Sequence, residues 1–333
     1  MSGSLTGALI DLGDGTDQLK LGAASTVTVR NVETLTGSAS ADLITLASQA
    51  TGGLFDLGAG TDTLKLGGYD NTLTVANVET LTGDTGDDVI TVRSSSTAIA
   101  VDLGAGHDTL TLGAATTVAL SNTEVVIGST GADVVTLATR SVDATIDLGA
   151  GLDKLVLGAF VNTVTVANTE TVVGAANADT VVLSSAVTAA TIDLAAGADS
   201  LTFGAFVNTA TVSNVETITG GLSADTVTLG AQATGGLIDL AGGADKLTLG
   251  NFINTATVAN TETIVGGTTT DLVTLSGAVA GVTVDLGTGS DKLTFDALGA
   301  TATISNVETI VGGAATDVVT LGAAVTAATV DLG

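Results

Sequence analysis

The stretch DLGAGTDTLKLGG, residues 56–68, sets two aspartates, Asp56 and Asp62, on either side of the glycine pair Gly58 and Gly60. Glycine tolerates positive φ and aspartate bonds its own nearby backbone, so the phrase reads as a tight corner. The TLKLG within it alternates apolar and polar residues with period two, as a half-buried strand does. The aspartate that opens it recurs at positions 11, 56, 102, 147, 193, 239, 285 and 331, at intervals of 45 or 46 residues.

Two further markers keep the same step. Asn31, Asn77, Asn122, Asn168, Asn214, Asn260 and Asn306 are each followed two residues later by Glu33, Glu79, Glu124, Glu170, Glu216, Glu262 and Glu308. A second turn aspartate stands at Asp42, Asp88, Asp133, Asp179, Asp225, Asp271 and Asp317, before runs such as LITL and VVTL. About seven copies of a 46-residue unit therefore run through residues 1–333 as one continuous array, with 1–8 as a leader or cap. From Asp17 the turn aspartates advance by 25 and then 20 residues, to Asp42 and Asp62. Each unit is accordingly read as two coils of unequal length, roughly 20 and 26 residues.

The runs TLKLG, TVTVANVETLTG and DVITV are β-branched and period-two, and none carries a sustained helical stripe. Short strands, Gly/Asn/Asp corners and a coil-sized period predict an all-β fold, a parallel β-solenoid of the β-helix or β-roll kind. A single coil cannot bury its own apolar face, so stacked coils make the core. Val, Leu and Ile are expected inside, with Thr, Asp, Lys and Asn outside. The absence of proline fits strands that must donate to neighbours on both sides.

Composition narrows the function classes. Eight Lys+Arg against 35 Asp+Glu give a formal charge of −27, which repels nucleic acid and anionic membranes and attracts cations. No apolar run approaches the roughly 18 residues of a membrane span, so no membrane insertion is expected. The start MSGSLTGALIDLG lacks the basic and apolar regions of a cleaved signal peptide. One His, no Cys and three Arg offer neither a nucleophile constellation nor a zinc set, and no enzymatic activity is expected. The pair Asp56/Asp62 has a counterpart in each repeat, which suits scaffolding better than one glycosidase site.

Stacking like residues would build carboxylate ladders with rungs about 4.8 Å apart. At that distance repulsion is roughly 0.9 kcal/mol per adjacent pair in water. The side chains must then splay into solvent, hold protons, or sandwich cations.

GAGTD-TL (58–64), GDGTD-QL (13–19), GAGHD-TL (104–110) and GTGSD-KL (287–293) resemble the RTX, or hemolysin-type, repeat G-G-x-G-x-D-x-U-x, a calcium-binding β-roll. NVETLTGSASADLITL is similar to segments flanking such repeats in large secreted bacterial surface proteins. The resemblance implies Ca²⁺ carboxylates at Asp17, Asp62, Asp108, Asp153, Asp199, Asp245 and Asp291, with Gly-x-Gly carbonyls beside them. Asp42, Asp88 and Asp133, on the same edge, join them as candidate metal carboxylates. The chain departs from the pattern by placing Leu12, Leu57 and Leu103 where the RTX repeat has its first glycine, and by AAGAD (195–199) and AGGAD (241–245). The structural reading, in which aspartate merely closes its turn, accounts for the same spacing.

Other columns are expected too. Asn71, Asn162, Asn208 and Asn254 would form amide ladders at corners. Tyr69, Phe160, Phe206 and Phe252 share one register, so their rings would stack along an edge. Lys20, Lys65, Lys154, Lys246 and Lys292 would offset the turn charge.

The expected function is an extracellular or cell-surface structural repeat protein of bacterial type: a surface-layer component, an adhesin stalk or a head-to-tail filament subunit, with Ca²⁺ at its turns. Secretion would proceed without a cleaved N-terminal signal. The chain starts within a repeat and stops in phase at ATVDLG, so copies are expected to associate end to end. One alternative is a calcium-responsive RTX-type folding module of a larger secreted protein. Another is ice binding through outward Thr-x-Thr pairs such as Thr26/Thr28 and Thr72/Thr74.

Overall fold

In the computed structural model, residues 3–93, 98–277, 279–323 and 328–333 are described. The chain falls into two compact units, Met1–Thr169 and Glu170–Gly333. Each unit contains 18 short strands among its described residues, and neither contains a helix there. Within each unit every strand pairs in parallel with the strand two places along, so alternate strands form two separate sheets. This is a parallel β-solenoid, as the period-two runs predict. Nine coils at about 4.8 Å give each unit a stack of roughly 40 Å.

Parallel register puts apolar residues of successive coils in line. In the first unit Val27, Ile44, Leu64, Leu81, Val101, Leu120 and Leu137 follow one another across one sheet, and all are buried. In the second unit Val227, Leu247, Ile264, Val284 and Ile304 do the same. Each buried side chain contributes on the order of 1.5–3 kcal/mol, and only stacking supplies the cover. Leu57, Leu103, Leu148, Leu194, Leu240 and Leu286 are fully buried as well. At Leu57 and Leu103 the leucine that replaces the first RTX glycine is therefore a core residue, whereas Leu12 is exposed.

Coil count is where the fold departs from the sequence reading. One repeat holds five strands: Thr6–Asp11, Gln18–Lys20, Thr26–Arg30, Thr34–Thr36 and Leu43–Leu46 precede the next equivalent, Thr51–Asp56. Two strands make a coil, so a repeat spans two and a half coils and each successive copy begins on the opposite sheet. Thr6–Asp11 pairs with Thr26–Arg30, whereas Thr51–Asp56 lies in the other sheet between Thr34–Thr36 and Thr72–Ala76. Thr6, Gly7 and Ala8 of the expected leader already belong to the first strand, and residues 1 and 2 lie outside the described residues.

The half-turn dissolves the expected columns. Asp56 has Thr36 and Ala76 as its neighbours on adjacent coils, not another copy of itself. Tyr69 precedes the strand Thr72–Ala76, in the same sheet as Thr163–Ala167, which follows Phe160. Five coils separate these two rings, and in the second unit Phe206 and Phe252 precede strands of different sheets. The rings do not stack along one edge. Instead the rings of Tyr69 and Phe160 lie over their own turn glycines, Gly67 and Gly158. The Thr-x-Thr pairs alternate between sheets in the same way, and Thr28 stacks on Thr45 and then Lys65.

One backbone feature yields a stability test. The residue after the DLG-type leucine has positive φ throughout, for example Gly58 at 88°, Gly104 at 90° and Gly149 at 84°. Alanines hold the same conformation at Ala195 (70°) and Ala241 (64°). Left-handed backbone costs a residue with a Cβ about 1–2 kcal/mol, part of which glycine's greater freedom in the unfolded chain offsets. Ala195→Gly and Ala241→Gly should each stabilise the protein by about 0.5–1 kcal/mol, read as a higher denaturant midpoint at unchanged slope. A lower midpoint would contradict the strain argument.

Candidate functional site: the acidic corners

Where one strand turns into the next, the corner N–H groups leave the sheet ladders and need other acceptors. The repeated acids supply them from the neighbouring coil. In the first unit Ser25 N–H donates to Asp42 Oδ1 (2.7 Å), Asp42 N–H to Asp62 Oδ1 (2.7 Å) and Asp62 N–H to Glu79 Oε2 (2.7 Å). The next file runs from Ala50 N–H to Asn71 Oδ1 (3.0 Å), Asn71 to Asp88 (2.9 Å), Asp88 to Asp108 (2.8 Å) and Asp108 to Glu124 (2.8 Å). Asp17 N–H likewise donates to Glu33 Oε2 at 2.8 Å, and Asp133 N–H to Asp153 Oδ1 at 2.7 Å.

The second unit repeats the pattern. Val187 N–H reaches Asn208 Oδ1 (3.1 Å), Asn208 reaches Asp225 (3.2 Å), Asp225 reaches Asp245 (2.7 Å) and Asp245 reaches Glu262 (2.8 Å). Asp271 donates to Asp291 and Asp291 to Glu308, while Asp179 donates to Asp199 and Asp199 to Glu216. In every file the N–H belongs to the earlier coil and the side-chain oxygen to the later one.

These aspartates lie inside, which corrects the outward placement expected from polarity. Asp62, Asp108 and Asp133 are 0% exposed, and Asp42, Asp88, Asp153, Asp199, Asp245 and Asp291 are buried with them. A corner N–H shut away from water is expensive to leave unbonded, and a carboxylate makes the stronger acceptor. Asn71, Asn162, Asn208 and Asn254 are buried too. They form no amide ladder: Asn71 and Asn208 each stand between a small or apolar residue's N–H and an aspartate, and their amide groups donate to Asp88 and Asp225. The second glycine of the turn makes room for this. A Cβ on Gly60 would sit 2.9 Å from Asp62 Oδ1 and 2.8 Å from the Ser40 carbonyl carbon.

Confinement raises the proton affinity of seven of the aspartates. Burial lifts the carboxyl groups of Asp62, Asp88 and Asp271 above the ordinary carboxylate range, against the pull of the backbone and side-chain hydrogen bonds they accept. For Asp108, Asp199, Asp245 and Asp291 the same burial, helped by the neighbouring acids, lifts it to about 6. At Asp245 the neighbours are Glu262 and Asp225. The second oxygen of Asp17, Asp62, Asp108, Asp199, Asp245 and Asp291 is buried and accepts no hydrogen bond.

The DLG aspartates play a different part. Each accepts from the backbone two residues on, as Asp56 does from Gly58 N–H at 3.1 Å. Seven of the eight, Asp11 to Asp285, also accept the side-chain N–H of the left-handed asparagine one coil later, at 2.6–2.8 Å from Asn31–Asp11 to Asn306–Asp285. Those asparagines have φ of 46–53°, a conformation asparagine accepts more readily than most residues. The DLG aspartate and the asparagine 20 or 21 residues later, which recur together at each 46-residue step, are therefore in physical contact between coils.

Among the described residues no three His, Cys, Asp or Glu side chains form a set that could hold a metal ion. The candidate calcium residues do not converge on common points; they are distributed as successive rungs. Glu33, Glu79, Glu124, Glu216, Glu262 and Glu308, phase markers in the sequence, each close a file in the structure. Their constant offset of 16 or 17 residues from the turn aspartate was the available signal. In comparisons with protein-family models and with curated proteins, no match to this chain was found.

Proposed function

We propose that this chain is a non-enzymatic structural repeat protein of the bacterial extracellular or cell-surface type, whose acidic corners serve as internal hydrogen-bonded spines. One observation carries the reading: the side chains that recur in step are engaged in joining coil to coil. The resemblance to RTX-flanking segments and the formal charge of −27 support a secreted, well-solvated protein. The assembly this reading expects is end-to-end association, since the last coil of any such stack offers unpaired strand edges. Negative-stain electron microscopy of concentrated protein should show filaments of single-solenoid width. Particles of one unit length at every concentration would sink the filament version.

A second reading is favoured by the orphaned carboxylate oxygens beside Gly-x-Gly corners at Asp17, Asp62, Asp108 and Asp291. There Ca²⁺ would be held by that oxygen and by backbone carbonyls, and the chain would be a calcium-responsive folding module. Melting in millimolar Ca²⁺ and in EGTA separates the two. The spine reading expects the same midpoint in both. A calcium module would melt far lower in EGTA, because a ligand present at a thousand times its Kd adds about 4 kcal/mol.

A further inference from the structure

We draw no further inference here: the strongest candidate, the threonine-lined sheet face of the second unit where Thr171, Thr191, Thr211, Thr228 and Thr248 stand in register on successive coils, carries nothing because nothing in the structure shows what covers it.

Discussion

Asp245→Ala should destabilise the protein by roughly 2–3 kcal/mol, while Asp245→Asn should cost less than half as much. Asp245 Oδ1 takes the Asp225 N–H at 2.7 Å, and both residues are buried. Alanine leaves that N–H with neither water nor acceptor. Asparagine keeps a carbonyl oxygen in place and removes a charge that burial already disfavours. Its cost comes from the amide group, which must find an acceptor where Oδ2 had no partner. Denaturant midpoints give the ranking, and hydrogen exchange at the Asp225 amide locates the effect, since opening in a stacked array is local. Equal losses for the two variants, appearing only when Ca²⁺ is present, would replace the spine with a metal site.

Mild acid is the second large expectation, and its direction is opposite to ordinary acid denaturation. Asp108, Asp199, Asp245 and Asp291 have folded values of about 6 against 3.8 for the unconstrained group, and Asp62, Asp88 and Asp271 are raised as well. Between pH about 4 and about 6 the folded chain thus binds more protons than the unfolded one. Stability from these groups is fully present below the unfolded value and is lost as pH rises through the folded value. Relief of the general negative charge works in the same direction. The melting temperature should therefore climb when pH is lowered from 8 to 5. A fourfold Asp108/Asp199/Asp245/Asp291→Asn variant should flatten the profile through that window. A wild-type melting temperature that falls from pH 8 to pH 5 would show that these carboxyls are stabilised as anions.

Much of this protein is legible in one dimension. A strand needs only local alternation, and TLKL, TVTV and LITL announce themselves. A repeat in sequence must repeat in structure, so the solenoid followed from the 46-residue step. Even the five strands per repeat left a trace: the four period-two runs QLK, TVTV, TLT and LITL follow Asp11, and TGGLFD, which ends on Asp56, adds a fifth strand.

Local periodicity and residue type dictate the class of fold, the apolar part of the core and the positions of the corners. Which copies face each other, and which way the acids point, follows only from the stacking of the coils. Asp56 meets Ala76 and Thr36 because a half coil remains at the end of every repeat. Asp62 turns inward because an N–H on Asp42, 20 residues away, has no other acceptor. The polarity of a side chain predicts its preference for water; the unmet hydrogen bond of a neighbouring coil, which exists only once the coils stack, overrides it.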